Sequence, residues 1–194
     1  MIKNVIFAGV GGQGVILASK LLMETAMNAG FDVKESEVHG MAQRGGSVDC
    51  HVRFGDKVYS PLIPFGKADF VVGLELLESM RKLDYLARDG KMIVNRERID
   101  PAPVQLGAMK YPEDIEAWIL KNAAGSMVVD TAGALKEVGS SRALNIVMLG
   151  VLSRFLDFEY GRWEASLKAL VKKNSLEMNI RAFNIGRELA GNLK

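Results

Sequence analysis

Val5-Ile6-Phe7-Ala8-Gly9-Val10-Gly11-Gly12-Gln13-Gly14-Val15 decides the architecture. Four apolar residues in a row read as a central strand buried on both faces, and a glycine-rich turn follows at once. Val15, Leu17, Ala18, Leu21, Leu22, Thr25 and Ala26 then recur at helical spacing. Gly30 stands where a helix stop belongs, and Phe31-Asp32-Val33 opens a second strand. Strand, turn, helix and strand in that order predict a parallel pair joined by a right-handed crossover.

The pattern continues outward. Further strands are expected at Ser47–Phe54, Lys57–Tyr59, Ala68–Gly73, Lys91–Asn95 and Met127–Asp130, with helices near Glu75–Leu83, Pro112–Ala123 and Thr131–Val138. The last third changes character: Arg142–Leu156, Arg162–Val171 and Ser175–Leu189 all read as helices. The first of these is apolar nearly all round and should be buried on most sides. No linker separates two units. The expectation is an α/β fold: one Rossmann-like domain over residues 1–194, with a mostly parallel sheet and a helical C-terminal third.

The 194 residues are 48% hydrophobic and 25% charged, which suits one sizeable core. A net charge of +2 supplies no field to recruit nucleic acid or an anionic membrane. There is one cysteine, Cys50, and there are two histidines, His39 and His51. That count forbids an internal disulfide, a four-thiolate cluster and a three-histidine metal site built from this chain alone. The opening segment lacks a signal-peptide pattern and no apolar run reaches a membrane-spanning length, so a cytoplasmic location is expected.

Gly9, Gly11 and Gly14 satisfy G-x-G-x-x-G between a strand and a helix, the context that pattern requires. There the next helix offers free N–H groups and a positive dipole end to an anion. Glu35 and Glu37 follow about 20 residues on, where a ribose-binding acid would sit. By itself this spacing points to NAD or NADP in a free-standing oxidoreductase. The competing reading is that the glycines only let strand and helix pack closely.

A second segment has no clean period. From His39 to Ser47 it holds Gly40, Gly45 and Gly46, so a loop of unusual backbone angles is expected. Gln43, Arg44 and Ser47 beside Gly45 and Gly46 make a candidate anion- or carbonyl-binding loop. In the strand that follows, Ser47, Asp49, His51 and Arg53 share one face, and Val48, Cys50, Val52 and Phe54 the other. Asp49, Cys50 and His51 therefore cannot converge on one metal ion, and Cys50 reads as a core thiol.

The pair Gly9–Val15 and Glu37-Val38-His39-Gly40-Met41-Ala42-Gln43-Arg44-Gly45-Gly46-Ser47-Val48 closely resembles the gamma-type subunits of the 2-oxoacid:ferredoxin oxidoreductases. Within them it is most similar to the beta subunits of indolepyruvate ferredoxin oxidoreductases. His51–Gly55, Tyr59–Pro64, Ala68–Gly73 and Arg142–Gly150 continue the likeness along nearly the whole chain. The resemblance implies a subunit, inactive alone, of a complex that oxidatively decarboxylates arylpyruvates to aryl-acyl-coenzyme A and passes electrons to ferredoxin. It also implies a large alpha-type partner holding thiamine diphosphate and iron–sulfur clusters, with coenzyme A as co-substrate. A sister complex acting on pyruvate, 2-oxoglutarate or a branched-chain 2-oxoacid is the alternative. The likeness implies that the fold keeps the glycine turn without using NAD.

On this reading Gly9, Gly11, Gly12, Gln13, Gly14, Gln43, Arg44, Gly45, Gly46 and Ser47 are candidates for a phosphate- or substrate-facing surface. His39 and Asn145 are secondary candidates, and no catalytic residue and no metal ligand is assigned to the chain. An apolar face meant for the partner would let the isolated chain form a homodimer. Trp118 and Trp163 read as packing anchors.

Overall fold

A computed structural model describes residues 2–40 and 45–192. The strands are β1 (Lys3–Val10), β2 (Asp32–His39), β3 (Ser47–Gly55), β4 (Ala68–Gly73), β5 (Leu86–Asn95) and β6 (Met127–Val129). The helices are α1 (Val15–Asn28), α2 (Leu76–Met80), α3 (Ala102–Gln105), α4 (Ile115–Asn122), α5 (Ala132–Val138), α6 (Leu144–Ser153), α7 (Tyr160–Leu170) and α8 (Leu176–Asn192). The six strands form one sheet in the order β2-β3-β1-β4-β5-β6. β1, β4, β5 and β6 pair in parallel, whereas β3 runs antiparallel to both of its neighbours. Strand β3 alone thus opposes the direction shared by the rest of the sheet.

The expected parallel pair of β1 and β2 is therefore corrected. The two run the same way, but β3 lies between them, pairing Val10 with Ser47 on one side and His39 with Val48 on the other. A hairpin return from β2 brings β3 back beside β1, and no crossover helix is needed. The expected strand at Lys57–Tyr59 is not formed either. β3 is already paired along both edges, so the chain after it has no ladder to join.

Residues 56–66 instead cross the sheet as an irregular strap. Arg53 Nη1 donates to the carbonyls of Ser60 (2.9 Å) and Leu62 (3.0 Å), and His51 Nδ1 accepts from the Ile63 amide (3.2 Å). Other boundaries move less. The helix expected at Glu75–Leu83 breaks after Met80, β5 starts five residues earlier than read, and α3 was not foreseen.

The two faces of the sheet carry unequal layers. Val5, Phe7, Cys50, Val52, Val72 and Ile93 face α1 and the helices α5–α8. Ile6, Val71, Met92 and Val94 face the thinner cover of α2 and α4. Strand alternation produces this split, because neighbouring residues must point to opposite faces. All ten residues of α6 are buried, as its apolar pattern requires. Trp163 is buried within this thick layer, but Trp118 is 42% exposed, which corrects its reading as a packing anchor. On α4 the inward positions belong to Ile115 and Ile119, leaving Trp118 on the solvent side.

Cys50 lies in the core beside α1. Burial pushes its thiol up to about 12; a hydrogen bond with Ser19 offsets part of this, and the Glu35 and Glu37 carboxylates add to it. Two expectations follow. At pH 8 a pKa near 12 leaves about one thiolate in ten thousand, so a disulfide reagent should label the folded chain roughly a hundredfold or more slower than the urea-unfolded chain. The folded pKa also lies above the exposed value of 9.0, so raising the pH from there towards 12 opposes folding. A labelling time course at fixed pH checks the first, and a melting series with Cys50→Ala as reference checks the second.

Candidate functional site

The turn after β1, the loop before β3 and the C-terminal ends of β4, β5 and β6 gather at one end of the sheet. Loops at this end are where ligands of open α/β sheets bind. Two backbone hydrogen bonds fasten the first pair of segments. The Gly11 amide donates to the Gly46 carbonyl at 2.8 Å, and the Gly45 amide donates to the Gly11 carbonyl at 3.4 Å. The two glycine-rich stretches therefore form a clasp. Gln43, Arg44 and the His39 side chain lie outside the described residues.

Several polar candidates are turned inward by the fold. Gln13 Oε1 accepts from the Val10 amide (2.8 Å), while its Nε2 donates to the Leu74 carbonyl (3.0 Å) and to Glu97 Oε2 (3.0 Å). Both ends of this amide are occupied, so Gln13 pins the turn to the strand ends and does not project towards a ligand. Ser47 Oγ donates to Glu78 Oε2 at 2.6 Å. Asn145 is buried, and its Nδ2 donates to the Gly14 carbonyl at 3.1 Å. A β-carbon on Gly9 would meet Gln13 Oε1 at 2.8 Å, so this glycine is needed for close packing.

What remains open is backbone. Gly12, with φ 110°, is the exposed tip of the turn, and Gly14, with φ 80°, caps α1 without a side-chain bond. The first α1 amide with a helical partner is that of Ala18, so the amides of Val15, Ile16 and Leu17 have none within the helix. No acidic residue stands in the first turn of α1 or of α6. Amides and dipole ends whose own first turns carry no carboxylate suit an anion.

The ribose-binding acid of a dinucleotide site is displaced. Glu35 and Glu37 lie on β2, and the inserted β3 moves that strand one further spacing of about 4.8 Å from β1. Glu35 also accepts a hydrogen bond from Ser19 of α1, and Glu37 pairs with Lys20 at 3.4 Å. The spacing in sequence matched a dinucleotide fingerprint; the topology does not.

Four further groups were not singled out in the sequence. Glu75, 1% exposed, follows β4, Asn95 ends β5 and Glu97 comes just after it. Glu75 accepts from the Glu78 amide (2.8 Å), the Ile99 amide (3.1 Å) and the Tyr111 hydroxyl (2.6 Å). Asn95 Nδ2 reaches Glu97 Oε2 at 3.2 Å, and its Oδ1 accepts from Thr131 at 2.8 Å. Burial raises the Glu97 carboxyl above its ordinary range; the Gln13 amide offsets part of this and the Glu75 charge adds to it. Burial likewise raises the Tyr111 phenol, helped by its bond to Glu75. A polar residue at or just after the end of an apolar strand was the available signal for Glu75, Asn95 and Glu97; Tyr111 carried none.

A cleft of about 550 Å³ opens beside the clasp. One wall is Gly45, Gly46, Ser47, Glu78 and Arg81, and the other runs from Pro101 through Met109 and Lys110 to Pro112. Arg81 is half exposed and bonds Glu78 Oε1 at 2.6 Å. Backbone amides, Lys110, Arg81 (already paired with Glu78) and an apolar wall fit a ligand with an anionic head and an apolar body. Among the described residues no three His, Cys, Asp or Glu side chains are grouped to hold a metal ion, and no helix is long and apolar enough to cross a membrane. Cys50 points away from Asp49 and His51, which instead meet each other (3.4 Å) and Lys82 (2.8 Å from Asp49).

Comparison with known proteins bears on the fold and the family. A family model described as pyruvate ferredoxin/flavodoxin oxidoreductase matches residues 4–189. The indolepyruvate oxidoreductase subunit IorB of Thermococcus kodakarensis is 34% identical over 96% of this chain and 95% of its own length. Among solved structures, a keto/oxoacid ferredoxin oxidoreductase gamma subunit from Geobacter sulfurreducens superposes with a TM-score of 0.73, at 23% identity, over 98% of this chain and 99% of that one. The 2-oxoglutarate:ferredoxin oxidoreductase of Magnetococcus marinus, solved with 2-oxoglutarate, coenzyme A and succinyl-CoA bound, gives 0.75 at 20% identity. It covers all of this chain and 32% of that longer one. These two likenesses speak for the fold alone. Family membership rests on the matched family model and on the full-length relative: the chain belongs to the pyruvate ferredoxin/flavodoxin oxidoreductase family.

Proposed function

We propose that the chain is the non-cofactor subunit of an arylpyruvate:ferredoxin oxidoreductase, a cytoplasmic complex whose substrate is of the indolepyruvate type. The observation that carries this reading is the 34% identity, at nearly equal length, to an indolepyruvate oxidoreductase subunit. The reaction would convert the arylpyruvate and coenzyme A to aryl-acyl-coenzyme A and carbon dioxide, with two electrons passing to ferredoxin. A large alpha-type partner would hold thiamine diphosphate and the iron–sulfur clusters, which supply carbanion stabilisation and electron transfer. The single, buried Cys50 of this chain is no ligand for a cluster.

The chain's own part is to present a surface. The Gly12 tip, the amides at the start of α1 that have no helical partner and the Gly46 amide form an anion-binding lip suited to the phosphates of coenzyme A. Arg81 and Lys110 flank the cleft beside it and would hold a carboxylate or phosphate, while Leu77, Val104 and Met109 receive an apolar body. No proton transfer is assigned to these residues.

The test is reconstitution. The large partner and this chain are purified together and apart, and reduction of a dye acceptor by indolepyruvate or phenylpyruvate is followed with coenzyme A present. Turnover should fall to background when this chain is left out. Equal rates with and without it would overturn the proposal. Pyruvate, 2-oxoglutarate and a branched-chain 2-oxoacid, run in parallel, should give lower kcat/KM than the arylpyruvates.

A further inference from the structure

The two walls of the 550 Å³ cleft belong to segments far apart in the chain, yet one line of hydrogen bonds joins them. Ser47, on the first wall, donates to Glu78 at 2.6 Å. The Glu78 amide donates to Glu75 at 2.8 Å, and the other oxygen of Glu75 receives the Ile99 amide at 3.1 Å and the Tyr111 hydroxyl at 2.6 Å. Tyr111 immediately precedes Pro112 of the second wall, and its ring carries the Arg98 guanidinium at 4.3 Å.

Capping α2 accounts for only one of the three bonds to Glu75, because one acceptor satisfies one free helix amide. The other two donors come from separate elements. Glu75 and Glu78 are 1% and 4% exposed, so water does not replace a lost partner easily. Packing does not set the wall separation unaided, since Met109 of the second wall is strongly exposed.

We infer that Glu75, with Tyr111, is a positioning residue: through Glu78 and Ser47 it fixes the distance between the cleft walls and so the affinity for the anionic substrate. This rests on the proposed function for the identity of the substrate, but the coupling of the walls belongs to the chain itself. Glu75 makes no contact with the reacting atoms in this role.

The experiment uses Tyr111→Phe, Ser47→Ala and their double variant. Tyr111→Phe removes one hydroxyl and keeps the ring over Arg98; Ser47→Ala removes the bond at the opposite wall. In isolated chains, amide exchange is read at residues 45–47 and 99–111. Tyr111→Phe should speed exchange at 45–47, which Tyr111 does not touch, and Ser47→Ala should speed it at 99–111, each by roughly tenfold, the equivalent of about 1.4 kcal/mol for one buried hydrogen bond. In the assembled complex each variant should raise KM by a similar factor with kcat within about twofold, and the double variant should fall short of the product.

Exchange changes confined to the substituted wall, or multiplicative KM effects, would overturn the inference. If wild-type complex does not turn over arylpyruvate at all, the proposed function falls while the exchange data still decide the coupling. If Tyr111→Phe does not fold, Ser47→Ala reads the same coupling from the other side.

Discussion

Gly186→Ala should lower the melting temperature of the chain by roughly 6–12 °C, the equivalent of about 3 kcal/mol or more for a protein of this size. A β-carbon at this position would lie 2.0 Å from the Val147 carbonyl oxygen and 3.1 Å from the Cα of Gly150. The reciprocal contact is as severe: at Gly150 it would meet the Phe183 carbonyl oxygen at 2.2 Å. Here α6 and α8 touch backbone to backbone, and no side-chain rotation relieves the overlap. α6 is also buried along its whole length, so it cannot move outward without opening the core on its far side.

The sign is not trivial. Alanine is favoured over glycine within a helix by about 1 kcal/mol, and at a surface site the change would stabilise. The close approach reverses that preference. Gly150→Ala should cost a similar amount, and the double variant should cost less than the sum, because one enforced separation relieves both overlaps. Thermal melts by circular dichroism measure this, and a Gly186→Ala melt within a degree or two of wild type would contradict the account of the helix pair.

The second large effect is expected at the turn. Gly14 holds φ 80°, a left-handed conformation that costs a non-glycine residue about 1 kcal/mol or more. An alanine β-carbon there would also sit 2.6 Å from Asn145 Nδ2 and 2.8 Å from Cγ of that buried amide. Gly14→Ala should therefore destabilise by about 2–4 kcal/mol, the backbone and overpacking costs together. Asn145→Ala by itself loses one hydrogen bond to the Gly14 carbonyl, about 1 kcal/mol. In the double variant the two closest overlaps are gone, and the backbone cost and the lost hydrogen bond remain. Urea unfolding of the four proteins should show a coupling above about 1 kcal/mol. Additive effects would mean that Asn145 does not define the mouth of the turn.

Much of the fold was legible from Val5–Val15. The apolar run, the glycines and the helical spacing after them required a strand, a tight turn and a helix, and these are β1, its turn and α1. The alternation after Ser47 correctly divided β3 into a polar and an apolar face, because strand periodicity is a local property. What failed was neighbourhood. The direct pairing of β1 and β2 was inferred from chain order, and nothing local in Ser47–Phe54 says that this strand slots between them against their direction.

The site shows the same division. Glycine positions were legible, since turn angles are local, and Gly11, Gly45 and Gly46 do meet. Side-chain roles were not. Gln13, Ser47 and Asn145 each satisfy a partner more than 25 residues away in the chain, which no spacing reveals. Glu75 was overlooked because an acid opening the helix expected at Glu75–Leu83 reads as a helix-start residue facing solvent. Its burial depends on Tyr111, 36 residues on.

The antiparallel insertion of β3 has a kinetic side. β2 and β3 form a hairpin of neighbouring strands, a local contact that forms early at small entropic cost. Pairing of β3 with β1 joins Lys3 to Phe54 and encloses α1, a non-local step that must wait for the hairpin and the helix. The bonds between Gly11 and Gly45–Gly46 can exist only after that docking. Refolding intermediates that already hold the hairpin should thus lack the clasp entirely. The lip that would meet an anion is therefore made only once β3 has docked on β1.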